Sequence, residues 1–129
     1  MTKKLLIVLV LSVILLGLSS CGSSKVKVGE EANGQTIELS TGQKLEIRLA
    51  GNPTTGFNWE VSEIDESVIK QSGEAQYKSD SNLIGSGGVF TYTFEAVQSG
   101  TTTIKLIYHR SWEKDIPPEQ EFAITVDVK

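Results

Sequence analysis

The sequence predicts an all-β fold, an immunoglobulin-like β-sandwich of about seven antiparallel strands. Three observations predict it. Apolar residues after residue 35 recur with a period of two, while helical periodicity is hard to find. Turn residues (Gly, Ser, Asn, Pro) divide the chain into short runs at sandwich spacing. The one cysteine, Cys21, excludes an intrachain disulfide, so the two sheets must hold by packing alone.

Residues 1–20 read as a leader outside this domain. Lys3 and Lys4 precede an apolar run, Leu5 to Leu18, that is broken only by Ser12 and Gly17. The run is short for a membrane-crossing helix, which needs about 20 residues. Charged start, apolar middle and small residues at the end are the layout of a signal peptide. Leu18-Ser19-Ser20-Cys21 resembles the bacterial lipobox. That resemblance implies a lipid on Cys21 and a bacterial lipoprotein, secreted across the cytoplasmic membrane and anchored by its N-terminus on the periplasmic or cell-surface side. Residues 21–34 then form a tether with a short first strand at Val26 and Val28, and residues 35–129 the sandwich. Loss of residues 1–20 removes Lys3 and Lys4 and takes the formal charge from −4 to −6. Such an acidic balance argues against a nucleic-acid partner.

The strands follow in order. Ile37 and Leu39 alternate with Glu38 over 36–40, and Leu45, Ile47 and Leu49 alternate with Glu46 and Arg48 over 44–49. Phe57, Trp59 and Val61 give a third run over 57–62, in which Trp59 is expected in the core. Residues 67–77 are irregular: Val68 and Ile69 are adjacent, and Glu63 to Ser67 could form one helical turn. A short strand is expected near 68–71 and another near 75–77. Phe90, Tyr92, Phe94 and Ala96 mark 89–97; Ile104, Leu106 and Tyr108 mark 102–109; Phe122, Ile124, Val126 and Val128 mark 121–128. Each run buries one face and wets the other.

Strands that run alternately up and down bring alternate connections to one end. The three unusual connections fall together by this rule. They carry Gly51-Asn52-Pro53-Thr54-Thr55-Gly56, the Ser79–Gly88 stretch with Gly85-Ser86-Gly87-Gly88, and the Ser111–Gln120 stretch with Trp112. In the first, proline pre-sets φ, glycine permits a positive φ, and two stiff threonines stand at the tip: a rigid, narrow, mildly polar wedge or an ordinary sturdy turn. The glycines of the second lack the lysine and the following helix of a phosphate loop, which leaves a backbone that can approach a partner closely or a loose hairpin. Trp112 is either a lid folded on the core or an exposed anchor.

No catalytic set is visible. His109 is the single histidine and no motif gives it a nucleophile, so it is placed on the solvent face beside the last loop. One histidine and one cysteine are too few for a zinc site. Neither metal nor cofactor is expected, and the chain is not expected to be an enzyme.

Together the three loops resemble those of the chagasin-like inhibitors of cysteine peptidases. Asn52-Pro53-Thr54-Thr55-Gly56-Phe57 looks like the family's first signature, Gly85-Ser86-Gly87-Gly88 resembles its Gly-x-Gly-Gly loop, and Arg110-Ser111-Trp112 resembles its Arg-Pro-Trp loop. The resemblance runs from about Thr36 to Val128. It implies a tight, reversible, non-covalent inhibitor, monomeric as a domain, whose partner is a papain-like cysteine peptidase. Thr54 and its neighbours would enter the active-site cleft without offering a well-placed scissile bond. The Gly85–Gly88 and Arg110–Trp112 loops would brace its two sides, Trp112 would stack on an aromatic surface, and Phe57 would seat the first loop from below. Ser111 departs from the family's proline and fixes no φ, so the last loop is expected to be freer. The competing reading is a surface-anchored adhesion or assembly module that holds a non-peptidase protein.

Overall fold

Alternation along the sequence becomes alternation of burial in the computed structural model, which describes residues 24–129. Nine strands form in chain order: β1 (Val26–Val28), β2 (Thr36–Leu39), β3 (Lys44–Gly51), β4 (Asn58–Glu63), β5 (Ile69–Gln71), β6 (Gln76–Ser79), β7 (Gly88–Ala96), β8 (Gly100–His109) and β9 (Gln120–Val128). In β7 every second residue is buried from Gly88 to Ala96, and in β9 from Phe122 to Val128. One sheet has the order β1-β3-β7-β5, with β6 also on β7, and the other has β2-β9-β8-β4. Their inner faces meet in a core that includes Leu45, Ile47, Leu49 and Phe94 from the first sheet and Ile104, Leu106, Phe122, Ile124 and Val126 from the second. Full burial of each such side chain favours folding by about 1.5–3 kcal/mol.

The sandwich is the one expected, with two refinements. Nine strands form where about seven were expected. Two edge pairs are also parallel: β1 on β3, and β2 on β9. Alternation decides which face of a strand is buried, but not which edge it joins. The first strand in fact packs with more of its surroundings than a tether would: a 3₁₀ turn at Glu30–Ala32 follows it and puts Ala32 into the core.

The irregular stretch resolves into one interrupted edge. β5 pairs with the Phe94–Ala96 end of β7 and β6 with its Gly88–Thr91 end, while Ser72 N–H donates to Thr93 O at 2.7 Å between them. Gly73, at φ 79°, lets the chain step out between the two pieces. Ahead of them the chain turns over Asp65–Ile69, where Val68 and Ile69 N–H both donate to Asp65 O, and Glu63, expected to start a helical turn, instead ends β4. The Asp65 carboxylate accepts from the Ser67 hydroxyl and the Ser67 N–H, and these hydrogen bonds hold its pKa below the usual carboxylate value.

Three aromatic side chains tie the sheets together at one end. Trp59 Nε1 on β4 donates to Ala50 O on β3 at 3.0 Å. The Tyr92 hydroxyl on β7 donates to Trp59 O on β4. The Tyr108 hydroxyl on β8 accepts from Asn52 N–H, just beyond β3, at 2.8 Å. Trp59 and Tyr108 also pack ring to ring, with centroids 5.1 Å apart. Each ring supplies buried area, and each polar tip satisfies a backbone group of the opposite sheet.

Candidate functional site: three joined loops

Strand registers bring the three unusual loops to the end fastened by those aromatics. Gly51 faces Gly88 where β3 meets β7, Asn58 faces His109 where β4 meets β8, and Tyr108 faces Gln120 where β8 meets β9. All three connections leave from this rim, as strand order requires.

The first loop is built around Asn52. Residues Pro53–Thr55 form a 3₁₀ turn with Asn52 as its N-cap and proline at its start. Asn52 Oδ1 accepts from Thr54 N–H at 3.1 Å and from the Thr54 hydroxyl at 2.5 Å. Asn52 O accepts from the Thr55 hydroxyl at 2.6 Å. Gly56 ends the turn in the left-handed region, φ 86°, and its N–H donates to Pro53 O at 3.0 Å. Thr54 and Thr55 are exposed at the tip, with their hydroxyls turned back into the loop. Beneath them Phe57 stacks on Tyr108, centroids 5.3 Å apart.

The second loop is braced, where the glycines suggested free backbone. Asp80 N–H donates to Gly87 O at 3.0 Å and continues the β6–β7 ladder into the loop. The Ser79 and Ser86 hydroxyls lie 2.8 Å apart, the Ser79 hydroxyl donates to Ser81 O at 2.6 Å, and Leu83 N–H donates to the Ser81 hydroxyl at 3.2 Å. The glycines serve two separate needs. Gly85 takes φ 82°. Gly88 sits so tightly against β6 that an added Cβ would stand 2.1 Å from Lys78 O. At the tip Ile84 is fully in solvent and Leu83 mostly so, an apolar pair in a polar loop.

The third loop starts with a tight turn, Glu113 N–H to Arg110 O at 3.0 Å. It presents Trp112 with 65 % of its surface exposed, so the indole is no lid on the core. The ring leans on the first loop instead: an added Cβ at Gly56 would lie 2.4 Å from its Cη2 atom. Arg110 faces inward. Its Nε–H donates to Thr55 O at 3.0 Å, its Nη1 meets Glu113 Oε1 at 3.0 Å, and its guanidinium carbon lies 4.3 Å from the centre of the Phe57 ring.

Asn52 and Arg110 therefore join the three loops. Asn52 Nδ2 donates to Gly85 O at 2.9 Å and ties the first loop to the second. Arg110 ties the first to the third. All the residues singled out in the sequence, Asn52 to Phe57, Gly85 to Gly88, Arg110 and Trp112, lie on or just beneath this one surface. Tyr108, Glu113, Ser79 and Ser81 belong to it too and were not singled out. Leu83 and Ile84 were not singled out either, although an apolar pair in a polar loop is a signal that sequence carries; the others take part only through contacts that sequence spacing does not reveal. His109 lies beside the third loop with Nε2 2.6 Å from Glu60 Oε2 and has no nucleophile paired with it among the described residues.

Comparison with known proteins finds relatives of the sandwich. The model of the family described as Chagasin family peptidase inhibitor I42 matches residues 38–126. Amoebiasin-1 of Entamoeba histolytica is 32 % identical over 103 residues, which cover 78 % of this chain and 96 % of that protein. Chagasin of Trypanosoma cruzi is 30 % identical over 103 residues, 76 % of this chain and 93 % of that one. Among solved structures, a cysteine protease inhibitor from Entamoeba histolytica superposes with a TM-score of 0.73 at 27 % identity, over 81 % of this chain and 96 % of that chain.

These comparisons correct the bacterial lipoprotein expectation. The relatives come from Entamoeba histolytica and Trypanosoma cruzi, both eukaryotes, and their likeness lies in the sandwich. The signal peptide at 1–20, the lipid on Cys21 and the bacterial membrane location are withdrawn with it. They rested on residues 1–21, which lie outside the described residues. A charged start, an apolar run and one cysteine are a signal of composition, and composition cannot carry the specificity that three ordered loops carry.

Proposed function

The chain belongs to the chagasin family of peptidase inhibitors and is an inhibitor of papain-like cysteine peptidases, not an enzyme; we propose that it acts by pressing its three joined loops, as one preformed wedge, into the active-site cleft. The observation that carries this reading is the pair of struts, Asn52 to Gly85 O and Arg110 to Thr55 O, which unite the loops in the free protein. Loops that are already ordered lose little conformational freedom on docking, and association is stronger by that amount.

In this reading Thr54 and Thr55 lead and enter the cleft between its catalytic groups. Their hydroxyls are held by Asn52, so the tip presents methyl groups and backbone in a fixed 3₁₀ turn. A peptidase cleaves extended chain, and this turn does not supply it. Gly85 to Gly88 and the exposed Leu83-Ile84 pair flank one side, and Trp112 flanks the other. Gly56 and Phe57 act from behind as the seat of the wedge. The inhibiting unit is the sandwich, residues 35–129, with the 26–32 segment packed on it.

The test is titration of papain with the purified protein. Stoichiometric, reversible loss of activity is expected, with the Thr54–Thr55 bond intact after long incubation. Trp112→Ala should weaken inhibition by about 2 kcal/mol or more, as loss of a hot-spot aromatic does. An unchanged inhibition constant for that variant would remove Trp112 from the contact, and lack of inhibition across a panel of papain-like enzymes would remove the reading itself.

A further inference from the structure

We propose that Glu113 is a positioning residue for Trp112: its ion pair with Arg110 closes the turn that presents the indole, a task that a proline at position 111 would perform through its ring. This rests on the inhibitor reading above and names what holds one of its three contacts in place.

The turn runs Arg110-Ser111-Trp112-Glu113 and is closed by Glu113 N–H to Arg110 O at 3.0 Å. Among the described non-glycine residues only Asp115 has a positive φ, so neither Ser111 nor Trp112 does, and the hydrogen-bonded turn is of type I. That type favours proline at its second position, where φ near −65° is required. Here Ser111 occupies it, exposed, with no acceptor for its N–H among the described residues. Serine leaves φ free. Trp112, largely in solvent, has its ring against Gly56 of the first loop. Covalent restraint and burial are thus both lacking at the residue that most needs a fixed direction.

What remains is Glu113. Its side chain is only about a quarter exposed, at 27 %, and its Oε1 meets Arg110 Nη1 at 3.0 Å. The same guanidinium is anchored to Thr55 O and lies over the Phe57 ring. Glu113 therefore fastens the far end of the turn to a cation that the first loop already holds on two sides. An isolated surface pair at i,i+3 would fasten nothing, because both partners could move together. Anchorage of Arg110 in the first loop is what makes this pair directional.

The test is a cycle of four full-length proteins: parent, Ser111→Pro, Glu113→Ala and the double variant. Papain inhibition is measured for each, with NMR amide exchange of the residue-113 N–H in the free proteins. Glu113→Ala should weaken inhibition about fivefold, the upper range for such a pair, and speed exchange of that N–H. Ser111→Pro should change the parent by less than about twofold, yet restore the double variant to near the parent value, because ring and ion pair restrain the same turn. Equal gains from proline in both backgrounds, or no loss in Glu113→Ala, would overturn the proposal. If the parent inhibits no member of a panel of papain-like enzymes, the peptidase reading fails, and the exchange cycle in the free proteins still decides the role of Glu113: acceleration by Glu113→Ala reversed by proline supports it, and unchanged exchange refutes it.

Discussion

Gly56 combines two demands that a sequence presents very differently. The first is conformational. At φ 86° it ends the Pro53–Thr55 turn in the left-handed region, and the order Asn-Pro-Thr-Thr-Gly announces that need locally. The second is steric and comes from 56 residues away: a methyl group there would stand 2.4 Å from Trp112 Cη2. No local pattern contains it. Gly56→Ala should therefore cost about 1–2 kcal/mol of stability from the backbone and, separately, push the indole off its seat. Gly34→Ala is the matched control, since Gly34 has φ 81° and nothing within 4 Å of an added Cβ. Urea unfolding should show similar losses for the two variants, while papain inhibition should fall at least tenfold only for Gly56→Ala. Equal inhibition by both would mean that the Gly56–Trp112 contact has no part in binding. Thr54 shows the same division at one residue: its place at the tip was legible, but not the return of its hydroxyl to Asn52.

At the scale of the strand, period-two alternation located the long elements well. β3, β7, β8 and β9 differ from their expected spans by two residues or fewer at each end, because each buries a continuous face. Elements whose existence depends on a neighbour were less legible. β5 and β6 formed where short strands were expected, near 68–71 and 75–77, but that β7 offers one edge to both was not legible. β2 pairs in parallel with β9 across most of the sequence, and nothing in Thr36–Leu39 names that partner. The same limit applies to the polar tips of core aromatics. Alternation placed Tyr108 inward, yet its hydroxyl emerges at the rim and receives Asn52 N–H, the first amide of the wedge. Tyr108→Phe keeps both ring contacts, with Phe57 and Trp59, and deletes only that acceptor. It should lower stability by about 1–3 kcal/mol, the cost of a partly buried amide left without a partner. Inhibition should weaken severalfold by loosening the loop. Denaturant unfolding and papain titration on one preparation separate the two effects. A variant with parental inhibition despite lower stability would show that the Asn52 strut to Gly85 suffices alone.

For the whole molecule, strand order alone foretold that the three loops share an end, because that follows from chain direction and not from any particular contact. It could not foretell how the two sheets stay aligned without a disulfide. The described structure answers with the aromatic ties, and the hydroxyl bond of Tyr92 is the buried one among them. Its hydroxyl lies between the sheets, bonded to Trp59 O. Burial, and then the negative charge of Glu60, push its pKa above the ordinary tyrosine value of 10.0. The sign follows from linkage. An acid with a raised folded-state pKa releases its proton more readily when unfolded, so the native state is fully favoured below pH 10 and loses ground as pH climbs through the folded value. Stability should thus fall on the alkaline side of pH 10. Tyr92→Phe has no proton to lose. It should be about 1 kcal/mol less stable at pH 7, where the bond to Trp59 O is missing, yet show a shallower decline from pH 10 upward, so that the two stability curves converge. Urea unfolding at intervals from pH 7 to 11 measures both limbs. Parallel curves would mean that the hydroxyl ionises as easily inside the sandwich as outside it, and the inter-sheet tie would then be no more than a neutral hydrogen bond.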